Sequence, residues 1–356
     1  MSSDGAANAN TVPDAGNLAA QRTALRIGFG LALGFALGEL SGTAFFFFPP
    51  LMAVQFLATM RQPPSLGQAI GLTVLTAMIS GSVLLLASVF AGQPLVFVML
   101  VGLLIFYGFL LDTAGKAMPA SLLLTFSASL PLLATQSAES AGLLAFAFVE
   151  STVIGLLTAW IIFAIFPAPP ADPDTAPPAL GTAEPRMALA NTMVLLPVLF
   201  FLMLGGNMTF VVLMVIIAII RLRDRSGAPG AAFGLLLGNI LGGLTATVAY
   251  NFLILQSGIA FFLLLVAAVG LMFAARISAG GARAPMFTIA LVTFVILLGL
   301  GVSPLPSDSG EAFTSRLWNV LLAGAYAVGA TSLIASRKPK PQPAAPVATD
   351  PSQVSP

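Results

Sequence analysis

Three ionisable side chains stand where water is scarce. Glu39 lies in "FGLALGFALGEL", Glu150 in "FVESTVIGLLTAWIIFAIF" and Arg316 in "AFTSRLWNVLLAG". Each interrupts a run otherwise free of charge. In a bilayer such a residue is expensive, and by default it marks a substrate, ion or proton path. At 1.5 Å per residue, Glu39 lies ~25 Å from Arg22, Glu150 ~25 Å from Pro167 and Arg316 ~31 Å from Arg337. These depths predict one shared layer in the outer part of a membrane. Arg316 would bind an anionic substrate, Glu150 would compete for it, and protonating Glu150 would free the arginine. The bland alternative is a structural clamp, or an Arg316 that snorkels to the outer interface. Glu39 is a second candidate proton carrier, with a place in interfacial water as its alternative.

A second set of candidates comes from broken spans, which point to the binding site in many transporters. "FFFFPPLMAVQFLATM" carries Pro49, Pro50 and Gln55, and "MLGGNMTFVVLMVIIAII" carries Gly205, Gly206, Asn207 and Thr209. The prolines are expected to leave backbone carbonyls that protein or a wet cavity must satisfy. The four phenylalanines at 45–48 are expected to face lipid, or else to wall a planar substrate. Asp112 and Lys116, four apart, read as a local ion pair. "RLRDR" (221–225) reads as a topological anchor.

Hydrophobic residues make up 58% of the 356-residue chain and charged residues 8%. So few charges cannot cover a water-facing surface. The chain reads as an all-α membrane protein with about 12 transmembrane helices, a span needing roughly 20 apolar residues. The first six spans are 22–40, 43–60, 66–90, 93–111, 118–136 and 141–166. The last six are 187–204, 207–221, 229–252, 257–276, 284–302 and 313–335. Residues 1–21 and 337–356 read as disordered cytosolic tails, and 167–185 as a Pro-rich cytosolic linker. With the N-terminus in the cytosol, 14 basic residues fall on the cytosolic side with the one exception of Arg316, as the positive-inside rule asks. Both termini are then cytosolic.

Histidine and cysteine are absent. That excludes disulfides, thiolate nucleophiles and imidazole acid–base chemistry, and it removes the ligands that most transition-metal sites need. No metal, cofactor or nucleic-acid partner is expected, and no enzymatic activity. "GFLLDTAGKA" (108–117) has six residues between its glycines and Ala117 after the lysine, so it fails as a phosphate loop.

The halves 22–166 and 186–336 read as two six-helix repeats. Arg61 pairs with Arg221, Gly71 with Gly234 and Pro119 with Pro285, at separations of 160, 163 and 166 residues. An even number of spans per repeat makes the two parallel. "FVESTVIGLLTAW" (148–160) aligned on "FTSRLWNVLLAGAY" (313–326) sets Glu150 opposite Arg316. Glycines four apart (Gly30, Gly34, Gly38; Gly67, Gly71; Gly230, Gly234, Gly238, Gly242) predict close helix packing, with a sliding or dimer face as the alternative.

"RTALRIGFGLALGFALGEL" followed by "FFPPLMAVQFLATM", together with the six-span repeat, resembles the fusaric-acid-resistance and aromatic-acid-exporter superfamily. The resemblance covers about 20–336. It implies an efflux component of the bacterial inner membrane that exports aromatic carboxylates or related toxic compounds, often beside a periplasmic membrane-fusion adaptor. Many members carry a large cytosolic domain between the halves; here a 19-residue linker stands in its place. The function expected is a proton-driven secondary exporter of small organic anions, in contact with lipid and open to homo-oligomerisation. Its rivals are a passive anion channel, a non-transporting scaffold and a membrane-embedded lipid enzyme, the last lacking any acidic or metal cluster.

Overall fold

A lone apolar segment in lipid can satisfy its backbone only by closing hydrogen bonds on itself, which makes it a helix. The computed structural model describes residues 15–43, 45–60, 62–90, 92–135, 137–167, 182–205, 210–226, 231–302, 318, 321–327 and 329–330. Among them are eleven helices and no strand. In order they are α1 (Ala15–Ser41), α2 (Phe48–Thr59), α3 (Leu66–Phe90), α4 (Pro94–Thr113), α5 (Ala117–Ala134) and α6 (Ala138–Ile165), then α7 (Pro185–Gly205), α8 (Phe210–Ser226), α9 (Ala231–Leu255), α10 (Ile259–Ser278) and α11 (Ala284–Val302). Nine of these are long and apolar enough to cross a membrane. The chain is a multi-pass membrane protein. Helix begins at Ala15, inside the stretch expected as a tail. Of the last predicted span only scattered residues are described, and 321–327 are helical.

The short spans are α2 and α8. At 12 residues, α2 reaches only ~18 Å against a hydrocarbon core of about 30 Å. It survives because protein encloses it: nine of its residues are buried. Phe45, Phe46, Phe47 and Phe48 are buried as well. They do not face lipid, contrary to expectation: Phe46 packs against the rings of Phe35 of α1 and Phe262 of α10, and Phe48 against that of Phe148 of α6. Pro49 and Pro50 also differ from expectation. They occupy the first turn of α2, where a backbone N–H has no intrahelical acceptor, so they break no ladder. The prolines inside helices are Pro131 in α5 and Pro197 in α7.

The glycine of the failed phosphate loop stops a helix. Gly115 has φ 80°, and Lys116 N–H donates to Leu111 O at 2.9 Å while Gly115 N–H donates to Asp112 O at 3.0 Å. This is a Schellman-type stop that a β-carbon would strain. Gly281, 166 residues on, also has φ 80°.

Glycines elsewhere set how closely helices approach. On α1, a β-carbon at Gly34 would lie 2.6 Å from Pro50 Cα, and one at Gly38 would lie 3.1 Å from Pro49 Cγ. The prolines of α2 therefore seat in a glycine groove of α1. Gly238 and Gly242 of α9 do the same against the Met286 and Ala290 carbonyls of α11. Gly67, Gly71 and Gly234 meet nothing within 4 Å. Helix α1 packs along α10 and α4 along α7. Helix α3 lies on α5, and α9 on α11. Likewise α2 touches α11, and α8 touches α5.

Candidate functional site

Two of the three expected charges, Glu39 and Glu150, fall among the described residues. Glu39 is exposed, two residues from the end of α1, where its backbone carbonyl accepts from Gly42 N–H at 3.1 Å. Glu150 is half-exposed on α6. Residues three, four and seven away share its helix face: Leu143, Phe146, Val153 and Leu157 are each at least 40% exposed, whereas Ala147 and Ile154 are buried. The carboxylate thus stands at the edge between the exposed apolar stripe of α6 and its buried side. Helix α6 packs against α1, α2, α3 and α5, so Glu150 is not at a boundary with α7–α11. Arg316, Gly206, Asn207 and Thr209 lie outside the described residues, and Gly205 ends α7. Gln55 is half-buried, its amide 3.9 Å from Met118 Sδ. No expected site residue is brought onto another among those described.

What the helices do bring together is a layer of hydroxyls. Thr76 and Ser80 on α3, Ser127 on α5, and Ser151 and Thr152 on α6 are all buried. Each lies near the middle of its helix: residue 78 is halfway along α3, 125–126 along α5 and 151–152 along α6. The three helices pack on one another. Thr76 and Thr152 hydroxyls meet at 3.3 Å, and the Phe126 and Phe148 rings stack at 4.1 Å between centroids. Helix α6 runs opposite to the other two. Four residues back from Thr152 is Phe148, and four on from Thr76 is Ser80, so Ser80 comes level with Phe148 and hence with Phe126 and Ser127. Ser151 lies about one turn, ~5 Å, from that level.

Hydroxyls in apolar helices ordinarily bond back to a carbonyl one turn earlier. Thr152 does so to Phe148 O at 2.8 Å, Ser129 to Thr125 O at 2.7 Å and Thr158 to Ile154 O at 2.8 Å. Ser80, Ser127 and Ser151 do not, and their buried hydroxyls have no hydrogen-bond partner. A buried hydroxyl left unpaired costs roughly 1–3 kcal/mol. Pro131 adds to the deficit, because it has no N–H for the carbonyl of Ser127 four residues before it. Sequence reasoning passed over these serines, since one hydroxyl in an apolar run carries little signal. "FSASLP", with a proline four residues after a serine, was the one local hint.

Across the molecule the comparable positions are satisfied. Asn239 of α9 and Thr293 of α11 are buried and hydrogen-bonded to each other at 2.7 Å.

At the C-terminal end of α4, Asp112 pairs with a different partner from the expected Lys116. Arg221 of α8 donates to Asp112 Oδ1 through Nη2 at 2.9 Å and Nε at 3.1 Å, and to Ala117 O at 2.8 Å. The RLRDR segment therefore does more than anchor topology, because its first arginine grips the α4–α5 turn. Arg26 is buried and donates to Phe166 O at 2.9 Å and Pro167 O at 3.0 Å. It fills two carbonyls at the end of α6 that no helical N–H can reach.

A family described as "Protein of unknown function (DUF2955)" matches residues 23–166. That stretch takes in most of α1 and all of α2–α6, and with them the whole hydroxyl layer. No curated protein and no solved structure matches the chain.

Proposed function

We propose that the protein is a secondary exporter of the bacterial inner membrane that moves small organic acids outward, aromatic carboxylates foremost. The observation that carries the transport reading is the hydroxyl layer. Three buried, unpartnered serines at mid-membrane depth, beside a proline-interrupted helix, make a structural core worse and a transport path possible. A scaffold would gain nothing from them.

Two parallel repeats belong to this reading. Exchanging each helix for the one six places away converts α1–α10 packing into α7–α4, α3–α5 into α9–α11, and α2–α11 into α8–α5, and each of those contacts occurs. The left-handed glycines 115 and 281 keep the same 166-residue spacing as Pro119 and Pro285. On this reading the register of the sixth helix shifts. Thr152 abuts Thr76, while Gly324 abuts Asn239, 163 residues after Thr76. Glu150 then corresponds to Leu322, and the Glu150–Arg316 correspondence is lost. Arg316, the one basic residue inside a predicted span, stays the counter-charge for an anionic substrate.

The resemblance to the aromatic-acid exporters supplies the substrate class, the inner-membrane location and a periplasmic adaptor as partner. The test is efflux from everted vesicles with a panel of aromatic acids, with and without ion gradients. Gradient-dependent movement above that of protein-free vesicles is expected. Movement indifferent to every gradient would make the protein a channel instead.

A further inference from the structure

The serine layer has an unusual donor set. Ser80, Ser127 and Ser151 offer hydroxyl oxygens that nothing in the chain uses, and Pro131 leaves the Ser127 carbonyl without its helical donor. Every atom of the set is a neutral oxygen. No carboxylate is buried in the layer: Glu150, next to Ser151 in the chain, is half-exposed at the edge of the α6 stripe, and Glu39 is exposed at the end of α1. No group of three acidic residues capable of holding a metal occurs among the described residues.

The chemistry of that set selects its guest. A divalent cation wants carboxylates to offset its charge, and there are none in the layer. A carboxylate substrate wants N–H donors or a cation, whereas the Ser127 carbonyl would repel it. An aromatic acid is also too large. The serine hydroxyls are shut from the surface, with the stacked rings of Phe126 and Phe148 at the same level. A dehydrated monovalent cation fits these limits, because hydroxyls and freed carbonyls of interrupted helices replace its hydration shell.

We propose that Ser80, Ser127 (through hydroxyl and carbonyl) and Ser151 form a binding site for one sodium ion at the centre of the α3–α5–α6 cluster. Resting on the transport reading, this names the coupling ion of that site: sodium rather than a proton carried on Glu150. At the equivalent level of the second half the Thr293 hydroxyl is already used, donating to Asn239 Oδ1, and one ion per chain is expected.

The test uses the purified full-length protein in detergent. Thermal unfolding is followed in NaCl, KCl and choline chloride at constant ionic strength, and ²²Na⁺ binding is counted directly. A saturable, sodium-selective rise in Tm and one bound ion per chain are expected. Ser127→Ala and Ser80→Ala, which remove an oxygen at nearly constant volume, should each weaken binding at least tenfold. Glu150→Gln and Thr293→Val should leave it unchanged. Equal responses to sodium, potassium and choline would overturn the proposal, and so would sodium binding indifferent to both serine changes; in either case the layer holds water. Acid efflux is scored separately. Sodium binding without efflux sinks the exporter reading alone, and efflux without sodium binding sinks this inference alone.

Discussion

Removing Arg221 should cost more stability than removing Lys116, the other basic residue at the C-terminal end of α4. Its side chain is 14% exposed, that of Asp112 8%, and they meet at 2.9 Å. Two nitrogens of the guanidinium bond one carboxylate oxygen, and one of them also holds Ala117 O. Breaking a buried pair from one side strands the other charge, at about 3–5 kcal/mol. The site is not fully dry, so the lower end applies, ~3 kcal/mol for Arg221→Gln and similarly for Asp112→Asn. Lys116 is exposed, and Lys116→Gln should stay within about 0.5 kcal/mol. The assay is a double-mutant cycle by chemical unfolding in detergent. The Asp112→Asn/Arg221→Gln double should be less damaged than the sum of the singles, by roughly 1–3 kcal/mol. Additive singles, or a Lys116 change as costly as the Arg221 change, would refute the assignment and restore the local Asp112–Lys116 pair.

Arg26→Leu should destabilise by about 2 kcal/mol, measured by the same unfolding, because it exposes the Phe166 and Pro167 carbonyls at the end of α6; Arg26→Lys should recover part of the loss. Gly34→Ala should abolish most folded protein in a detergent-extracted gel-filtration profile, since its β-carbon meets the Pro50 backbone at 2.6 Å, while Gly71→Ala should be tolerated. Glu150→Leu should leave efflux intact and raise Tm, because a half-exposed carboxylate among the apolar side chains of α6 is a cost the chain carries; lost efflux would return Glu150 to the path.

The membrane class was legible from composition, and so were most helices. The predicted spans 66–90 and 284–302 coincide with α3 and α11, because each is bounded by prolines or polar residues that stop an apolar run. The shortness of the second and eighth spans was legible as well. Direction was not legible. Counting residues gives the depth of Glu150 but not the side of the helix it faces, and α6 is apolar nearly all round, so its pattern names no inner face. The role of Pro49 and Pro50 depended on where α2 begins, which a boundary error of a few residues reverses. Arg221 and Asp112 are 109 residues apart, a pairing that no local spacing encodes. The serines Ser80, Ser127 and Ser151 gain meaning only when three helices set them level with one another.

The most direct measurement of the central claim is gradient-driven efflux of an aromatic acid from everted vesicles, comparing wild type with Ser127→Ala and with Thr293→Val. If the hydroxyl layer of α3, α5 and α6 is the coupling-ion site of transport, Ser127→Ala should lower the initial rate at least tenfold at equal expression, and Thr293→Val should not. Equal rates in wild type and Ser127→Ala would contradict the account and leave the layer as buried packing filled by water.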